Sequence, residues 1–161
     1  MIVEFSELKE DSRIWIYPSN RPFTQDEIPL LQKLTTDFLS KWTAHNKELE
    51  AGYELTYNRF IVIGLNQEAV SASGCSIDTS VRFIQQLELQ FNLELLDKMN
   101  VTFRQGDYFV HKTLKDFREM AKAKAISKNT IVFNNLVDTK QGYREFWEIP
   151  ASESWHNRFI K

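Results

Sequence analysis

The chain has 161 residues, a length that fits one domain at roughly 150 residues per domain. Its 20 Lys and Arg residues nearly balance 22 Asp and Glu residues, and the formal net charge of −2 excludes a global attraction to nucleic acid or to an acidic membrane surface. Apolar residues make up 42% of the chain and charged residues 26%, a composition that is typical of a globular protein and excludes extensive disorder.

The first predicted elements are a strand and a helix. Residues 13–17 alternate isoleucine with aromatic residues, which is typical of a strand, and a loop with two prolines over 18–22 ends it. Residues 24–27 have the form of a capping box, and apolar residues then recur at helical spacing toward His45. This pattern predicts a helix with Pro29 in its first turn.

The middle of the chain is predicted to form a central strand, a hairpin and a second helix. Residues 60–63 are apolar on both faces, which indicates a strand in the centre of a sheet, and a turn leads from it to a short partner strand over 69–73. Apolar residues in 79–96 fall on one helical stripe. We expect Asp78 or Ser76 to be the N-cap of that helix.

The second half of the chain repeats the alternation of strands and helices. Residues 101–103 and 108–110 are extended pieces around a Gly-containing turn, and residues 113–126 form a basic helix. Two β-rich runs, 130–137 and 143–149, are separated by a loop of hairpin length that ends in Gly. They predict a final hairpin.

The whole chain, residues 1–161, is predicted to be a single α+β domain. No Pro-, Ser- or Gly-rich linker and no internal repeat divides it, and the aromatic segment 155–159 is expected to dock on the rest. We expect a largely antiparallel or mixed sheet with two to three helices packed on it. A ferredoxin-like β-α-β-β-α-β order with additions fits this pattern.

The sequence predicts a cytoplasmic protein that does not enter a membrane. The amino end lacks the basic and apolar regions of a secretory signal, and the longest core-like run, residues 60–65, is far shorter than the ~20 apolar residues of a spanning helix. The only cysteine, Cys75, excludes an internal disulfide and suits a reducing compartment.

The most informative stretch is 71–81, where small polar residues and Cys75 lead into the second predicted helix. A helix that begins there directs unpaired backbone N–H groups at the loop and favours an anion or a thiolate. An arginine in the loop after the first strand could share an anionic ligand. The candidate ligand-binding residues are Arg21, Ser73, Gly74, Ser76 and Asp78. The alternatives are helix caps for the small polar residues and a proline-stiffened connection around Arg21.

Cys75 is the candidate catalytic residue, as a nucleophile or a redox-responsive thiol. The alternative is a small apolar core residue, because free cysteine is often buried. Catalysis needs a base, and the three histidines, His45, His111 and His156, lie at distant positions in the chain. Their spacing matches no metal site, and no cofactor is indicated.

The third predicted helix provides a further candidate site. Lys115, Arg118 and Lys122 follow one another at helical spacing and could bind the phosphates of a nucleic acid. A solvated outer face of an amphipathic helix explains the same residues, and we favour this second interpretation.

Three segments together resemble a small uncharacterised bacterial family: residues 15–22, residues 73–78 with the helix that follows, and residues 155–159. The resemblance spans essentially the whole chain. Members of this family often bear the label "ABC transporter ATPase", which implies ATP hydrolysis coupled to transport. A P-loop needs a Gly-Lys pair to hold phosphates, and none exists in this chain.

The sequence therefore predicts a small cytoplasmic domain that binds a small molecule or a protein partner through the loop before the second helix, without chemistry of its own. The first alternative is an enzyme or redox-responsive protein that depends on Cys75. The second is nucleic-acid binding through the basic helix. The sequence does not decide whether the chain is an enzyme, and a homo-oligomer is compatible with it.

Overall fold

The computed structural model describes residues 1–160, in which antiparallel strands form three sheets and α-helices pack against them. Within these residues the α-helices are α1 (Glu27–Lys41), α2 (Gly74–Phe91), α3 (Leu114–Lys122) and α4 (Lys140–Phe146). The strands are β1 (Arg13–Pro18), β2 (Thr43–Ala44), β3 (Lys47–Glu48), β4 (Glu50–Thr56), β5 (Phe60–Asn66), β6 (Val101–Gln105), β7 (Tyr108–Lys112), β8 (Ile131–Phe133) and β9 (Glu148–Pro150).

The first sheet has the order β1–β5–β4, with the apolar strand β5 in the centre, as its sequence predicts. All neighbours are antiparallel, and Val62 of β5 lies opposite Ile16 of β1 and Glu54 of β4. The predicted hairpin between β5 and residues 69–73 is wrong. The second partner of β5 is β4, which precedes it in the chain, and Tyr57 and Asn58 make the connecting turn with positive φ angles.

Both faces of this sheet are covered, which explains why β5 is apolar throughout. Helices α1 and α2 pack on one face, where Leu31 and Ile84 contribute to a buried cluster with Ile61 and Ile63. The other face has a second cluster, composed of Phe5, Leu8, Ile14, Ile16, Phe60, Val62, Phe133 and Trp147. Since Phe133 belongs to β8, this second cluster joins the first sheet to the four-stranded sheet.

The four-stranded sheet has the order β7–β6–β8–β9. Phe103 of β6 and Val132 of β8 pack with Phe117 of α3 in a third buried cluster. A short 3₁₀ helix, Trp155–Phe159, follows; it docks on the rest of the structure as the sequence predicts, its partner is α3, and His156 is fully buried. This docking brings the end of the chain to the basic helix.

The α+β class with antiparallel sheets is confirmed, and the details of the helices differ from the sequence prediction. Helix α2 begins at Gly74, five residues before the predicted start, because its N-cap is Ser73 and not Ser76 or Asp78. Helix α3 ends at Lys122, and Lys124 adopts a positive φ of 62°. Among the helices of residues 1–160, none combines the length and the apolar character that crossing a membrane requires.

The predicted strand over 143–149 is wrong for most of its length. Thr139 caps a helix, its Oγ1 accepting the N–H of Gly142 at 3.0 Å, so that residues 140–146 are helical and only Glu148–Pro150 is a strand. Strand β9 still pairs with β8, so a helical connection replaces the predicted hairpin loop. The strands are divided among separate sheets, and the order is not that of one ferredoxin-like sheet.

The outer edge of β1 is paired at its start with a segment from the far end of the chain. Ile14 N–H donates to Asp138 O at 2.9 Å, and Lys140 N–H donates to Ser12 O at 3.0 Å. The Lys140 ammonium also donates to the Leu8 carbonyl at 2.6 Å. The start of β1 is thus held by β5 on one side and by residues 138–140 on the other.

Candidate functional site

The polar residues at the start of α2 are used to begin the helix. Ser73 Oγ accepts the Ser76 N–H at 3.1 Å, and Ser76 Oγ accepts the Ser73 N–H at 2.8 Å. This reciprocal pair satisfies two backbone donors that a helix start otherwise leaves free. Trp42 Nε1 also donates to the Ser76 carbonyl at 2.9 Å. Helix capping, the alternative considered from the sequence, therefore describes the hydrogen bonds of Ser73 and Ser76.

Cys75 is exposed in the first turn of α2, so the core-residue interpretation of this thiol is wrong. It lines an open cleft of about 670 Å³ together with Gly74, and across the cleft lie His45 and Asn46 of the β2–β3 turn. Both turn residues have positive φ angles. Of the three histidines, His45 is thus the one that shares a cleft with the thiol. Asp78 is exposed but does not line this cleft.

Arg21 lies at the opposite end of α2 and does not join the predicted ligand site. Its guanidinium makes two hydrogen bonds of 2.9 Å to the carboxylate of Glu27 and donates to the Phe91 carbonyl at 2.7 Å. Phe91 is the last residue of α2, about 25 Å along the helix from Gly74. The Arg21 guanidinium is the main reason that the pKa of Glu27 is lowered to about 2. The arginine therefore ties α1 to the end of α2.

A second cleft, of about 510 Å³, lies between α3 and the terminal 3₁₀ helix. We call it the basic cleft; its lining residues are Arg118, Ala121, Lys122, Lys124, Arg158 and Phe159. All four cationic residues are exposed, and no acidic side chain of residues 1–160 lines it. None of the four pairs with a carboxylate within the described part of the chain. Lys115, predicted with Arg118 and Lys122, does not line the cleft.

The basic cleft depends on aromatic packing beneath it. The His156 ring meets the Phe117 ring of α3 edge-on at 5.6 Å, which anchors the terminal segment. Phe159 then lies with its ring 5.5 Å from the Arg118 guanidinium and 5.9 Å from that of Arg158, at distances typical of cation–π contacts. The terminal segment thus brings Arg158 beside helix α3.

The buried imidazole under this cleft is uncharged at neutral pH. Burial lowers the pKa of His156 to about 4. Its Nδ1 is 2.7 Å from Ser154 Oγ, and its ring stacks on Trp155 at 3.8 Å between centroids. His156 therefore supports the cleft by packing and adds no charge to it.

The sequence missed Arg158 as a site residue because 36 positions separate it from Lys122. The aromatic segment 155–159 is the signal that could have found it. Arg158 lies within this segment, so the predicted docking of the segment implies that Arg158 reaches another element. Within residues 1–160, no three His, Cys, Asp or Glu side chains lie close enough together to hold a metal ion.

No family model, curated protein or solved structure matches this chain. The resemblance to a small bacterial family therefore stays an expectation. Since a fold alone does not define a function, function must be argued from the geometry of the clefts.

Proposed function

We propose that the protein binds a phosphate-bearing ligand in the basic cleft. The observation that supports this is the convergence of four cations, three from the α3 region and Arg158 from the end of the chain, around one concave surface. Arginine guanidinium groups bind phosphate oxygens through paired N–H donors, and lysines add point charges. The proposal keeps the ligand-binding class predicted from the sequence and assigns the ligand to α3 instead of the loop 73–78.

A solvated helix face explains these charges less well than an anion does. The cations come from segments that are distant in sequence, and like charges held around a concavity repel one another unless an anion compensates them. A volume of about 510 Å³ lies within the range of roughly 300–1,000 Å³ for small-ligand sites. Ala121 and Phe159 give the cleft an apolar part against which the non-phosphate portion of a ligand could pack.

The test is a titration of the protein with inorganic pyrophosphate and with a fluorescent single-stranded oligothymidine. We expect saturable binding that weakens as salt rises from about 50 to 200 mM. The variant Arg118→Glu with Lys122→Glu should weaken it at least tenfold, on the order of 1.4 kcal/mol or more. The matched control is Lys33→Glu with Lys47→Glu, which makes the same change in net charge at exposed lysines outside the cleft.

The two ligands distinguish the possible sources of the phosphate. Binding of pyrophosphate alone indicates a small phosphorylated molecule, whereas tighter binding of the oligonucleotide with a steeper salt dependence indicates a nucleic-acid backbone. Lys115→Glu provides an internal comparison, because this lysine is on α3 but outside the cleft. The proposal is refuted if neither ligand binds, or if Lys115→Glu and the control pair weaken binding as much as the cleft variant.

A second candidate function is thiol chemistry at Cys75, which is favoured by the one observation that His45 lines the same cleft. A nucleophilic thiol requires a neighbouring base, and His45 could act as one. The test is the rate of iodoacetamide alkylation of the folded protein as a function of pH, in the wild type and in His45→Asn. A faster reaction of the wild type at neutral pH supports this candidate. Identical pH profiles remove it.

A further inference from the structure

The free edge of β4 is a separate feature, remote in sequence from the basic cleft. Strand β4 is the outer strand of its sheet, and part of its edge is already paired: Val3 N–H donates to Ala51 O at 2.8 Å, and Ala51 N–H donates to Met1 O at 3.1 Å. The N-terminal segment thus adds three residues to this edge in parallel orientation. After Val3 the chain leaves the edge and forms a short 3₁₀ helix, Phe5–Glu7.

Beyond this point the backbone of β4 is open. Alternate residues of a strand direct their N–H and C=O groups to opposite sides, and those of Ala51 point away from β5. The N–H and C=O groups of Tyr53 and Leu55 therefore point the same way. Within residues 1–160 no hydrogen bond reaches these four groups. They are a template for one more short strand.

A groove surrounds this open edge. It has a volume of about 740 Å³, with Tyr53 to Leu55 as its floor, Ile28 of α1 on one side and the segment around Glu4 and Glu7 on the other. The Tyr53 hydroxyl is fixed by the α1 backbone, since it donates to the Gln32 carbonyl at 3.0 Å. We call this concavity the edge groove.

The two sides of the edge groove differ in chemistry. Tyr53 and Leu55 direct their side chains to the face that α1 covers, where Ile28 also packs. Glu54 points to the opposite face, where one oxygen accepts the Tyr143 hydroxyl at 2.7 Å, and Glu4 and Glu7 line that side of the groove. No lysine, arginine or histidine of residues 1–160 lines it. One side is therefore apolar and the other acidic.

We propose that the edge groove binds an extended peptide in which basic and apolar residues alternate, and that this peptide pairs with β4 as an additional strand. Backbone hydrogen bonds to Tyr53 and Leu55 supply sequence-independent affinity, and the alternation of side chains supplies specificity. Apolar side chains of the peptide pack beside Ile28 and Leu55, while its basic side chains face Glu4, Glu7 and Glu54. A second copy of this chain is a poor occupant, because pairing two β4 edges would bring two copies of these carboxylates together.

The test uses the capped heptapeptide Lys-Val-Lys-Val-Lys-Val-Lys with a fluorescent label, and its binding is followed by anisotropy. We expect saturable binding, and no binding of the peptide in which glutamate replaces each lysine. In the variant Glu4→Lys with Glu7→Lys, affinity should fall at least about tenfold, because attraction becomes repulsion. Both glutamates are exposed. The control is Asp107→Lys with Glu153→Lys, an equal change in charge at exposed sites outside the groove, which should keep full affinity.

Two N-methylated peptides test the strand pairing itself. The valines are the peptide residues whose side chains face the α1 side. If the peptide pairs antiparallel to β4, the valine N–H groups point to β4. If it pairs parallel to β4, the lysine N–H groups point to β4 instead. Methylation of the valine nitrogens or of the lysine nitrogens should therefore weaken binding at least about tenfold, and the sensitive set gives the orientation. Full binding of both methylated peptides overturns the proposal. So does binding that survives Glu4→Lys with Glu7→Lys, or a dimer in sedimentation that the peptide does not disrupt.

Discussion

The buried imidazole of His156 should make the protein less stable at mildly acidic pH. In the folded state its pKa is about 4, and the usual value for the unfolded chain is 6.5. Between these values the unfolded state binds a proton that the folded state does not bind, so the free energy of unfolding must fall as the pH falls through this window. At about 1.36 kcal/mol per pH unit, lowering the pH from about 7.5 to 4.5 should remove roughly 2.5 kcal/mol.

The assay is urea unfolding followed by far-UV circular dichroism at several pH values, in the wild type and in His156→Asn. Asparagine retains a polar atom for Ser154 and removes the titrating group, so the variant should lose about 2.5 kcal/mol less than the wild type over the same interval. His111, whose pKa burial also lowers, contributes with the same sign to both proteins and cancels in the comparison. His45→Asn, the same substitution at an exposed histidine, is the matched control. Equal losses in the wild type and His156→Asn would refute the reasoning.

Three further predictions concern stability. Arg21→Met should cost about 1.5 kcal/mol at neutral pH, because it removes the guanidinium donors to Glu27 and to the Phe91 carbonyl and leaves Glu27 only the Thr24 N–H. Since the pKa of Glu27 is about 2 when folded and 4.5 when unfolded, that difference should shrink as the pH falls from about 4.5 toward 2, as urea unfolding can measure. Gly74→Ala should raise the free energy of unfolding by about 0.5 kcal/mol, because alanine restricts the unfolded chain more than glycine does and its Cβ meets no atom within 4 Å in the folded state. An unchanged or lower melting temperature would contradict this. Phe133→Ala should cost about 4 kcal/mol, since the ring is buried against Phe60 and Trp147 at 5.1 and 4.8 Å, and Phe133→Leu should cost clearly less in the same unfolding assay.

The sequence predicted the elements whose burial pattern is strong. Residues 60–63 are apolar on both faces and form the centre of β5, and the reciprocal hydrogen bonds of Thr24 and Glu27 confirm the capping box before α1. It failed for 143–149, whose aromatic residues have high β-propensity. There the Thr139 cap and the packing of Tyr143 and Trp147 on the sheet favour a helix, and tertiary contacts of this kind are not visible in a local pattern.

The candidate sites were less predictable than the fold. The type and spacing of Arg118 and Lys122 indicated a basic surface, but Arg158 joins them only because a distant segment docks on α3. The serines before α2 suggested a ligand loop, yet they hydrogen-bond one another, and single-sequence reasoning cannot separate a cap from a ligand site. The edge groove left no signal in the sequence, because an open strand edge is a property of the strand order and of where the N-terminal segment leaves the sheet.

The pairing of residues 138–140 with the start of β1 has a consequence for the order in which a newly made chain becomes protected. Strand β1 leaves the ribosome early, but the start of its second edge is paired only after about 120 further residues have been added. At about 5–20 residues per second, this takes on the order of ten seconds. During translation an apolar strand with an open edge is thus exposed for far longer than a hairpin such as β6–β7. A chain truncated before Asp138 would leave the start of that edge without this pairing, and we expect such fragments to aggregate more readily.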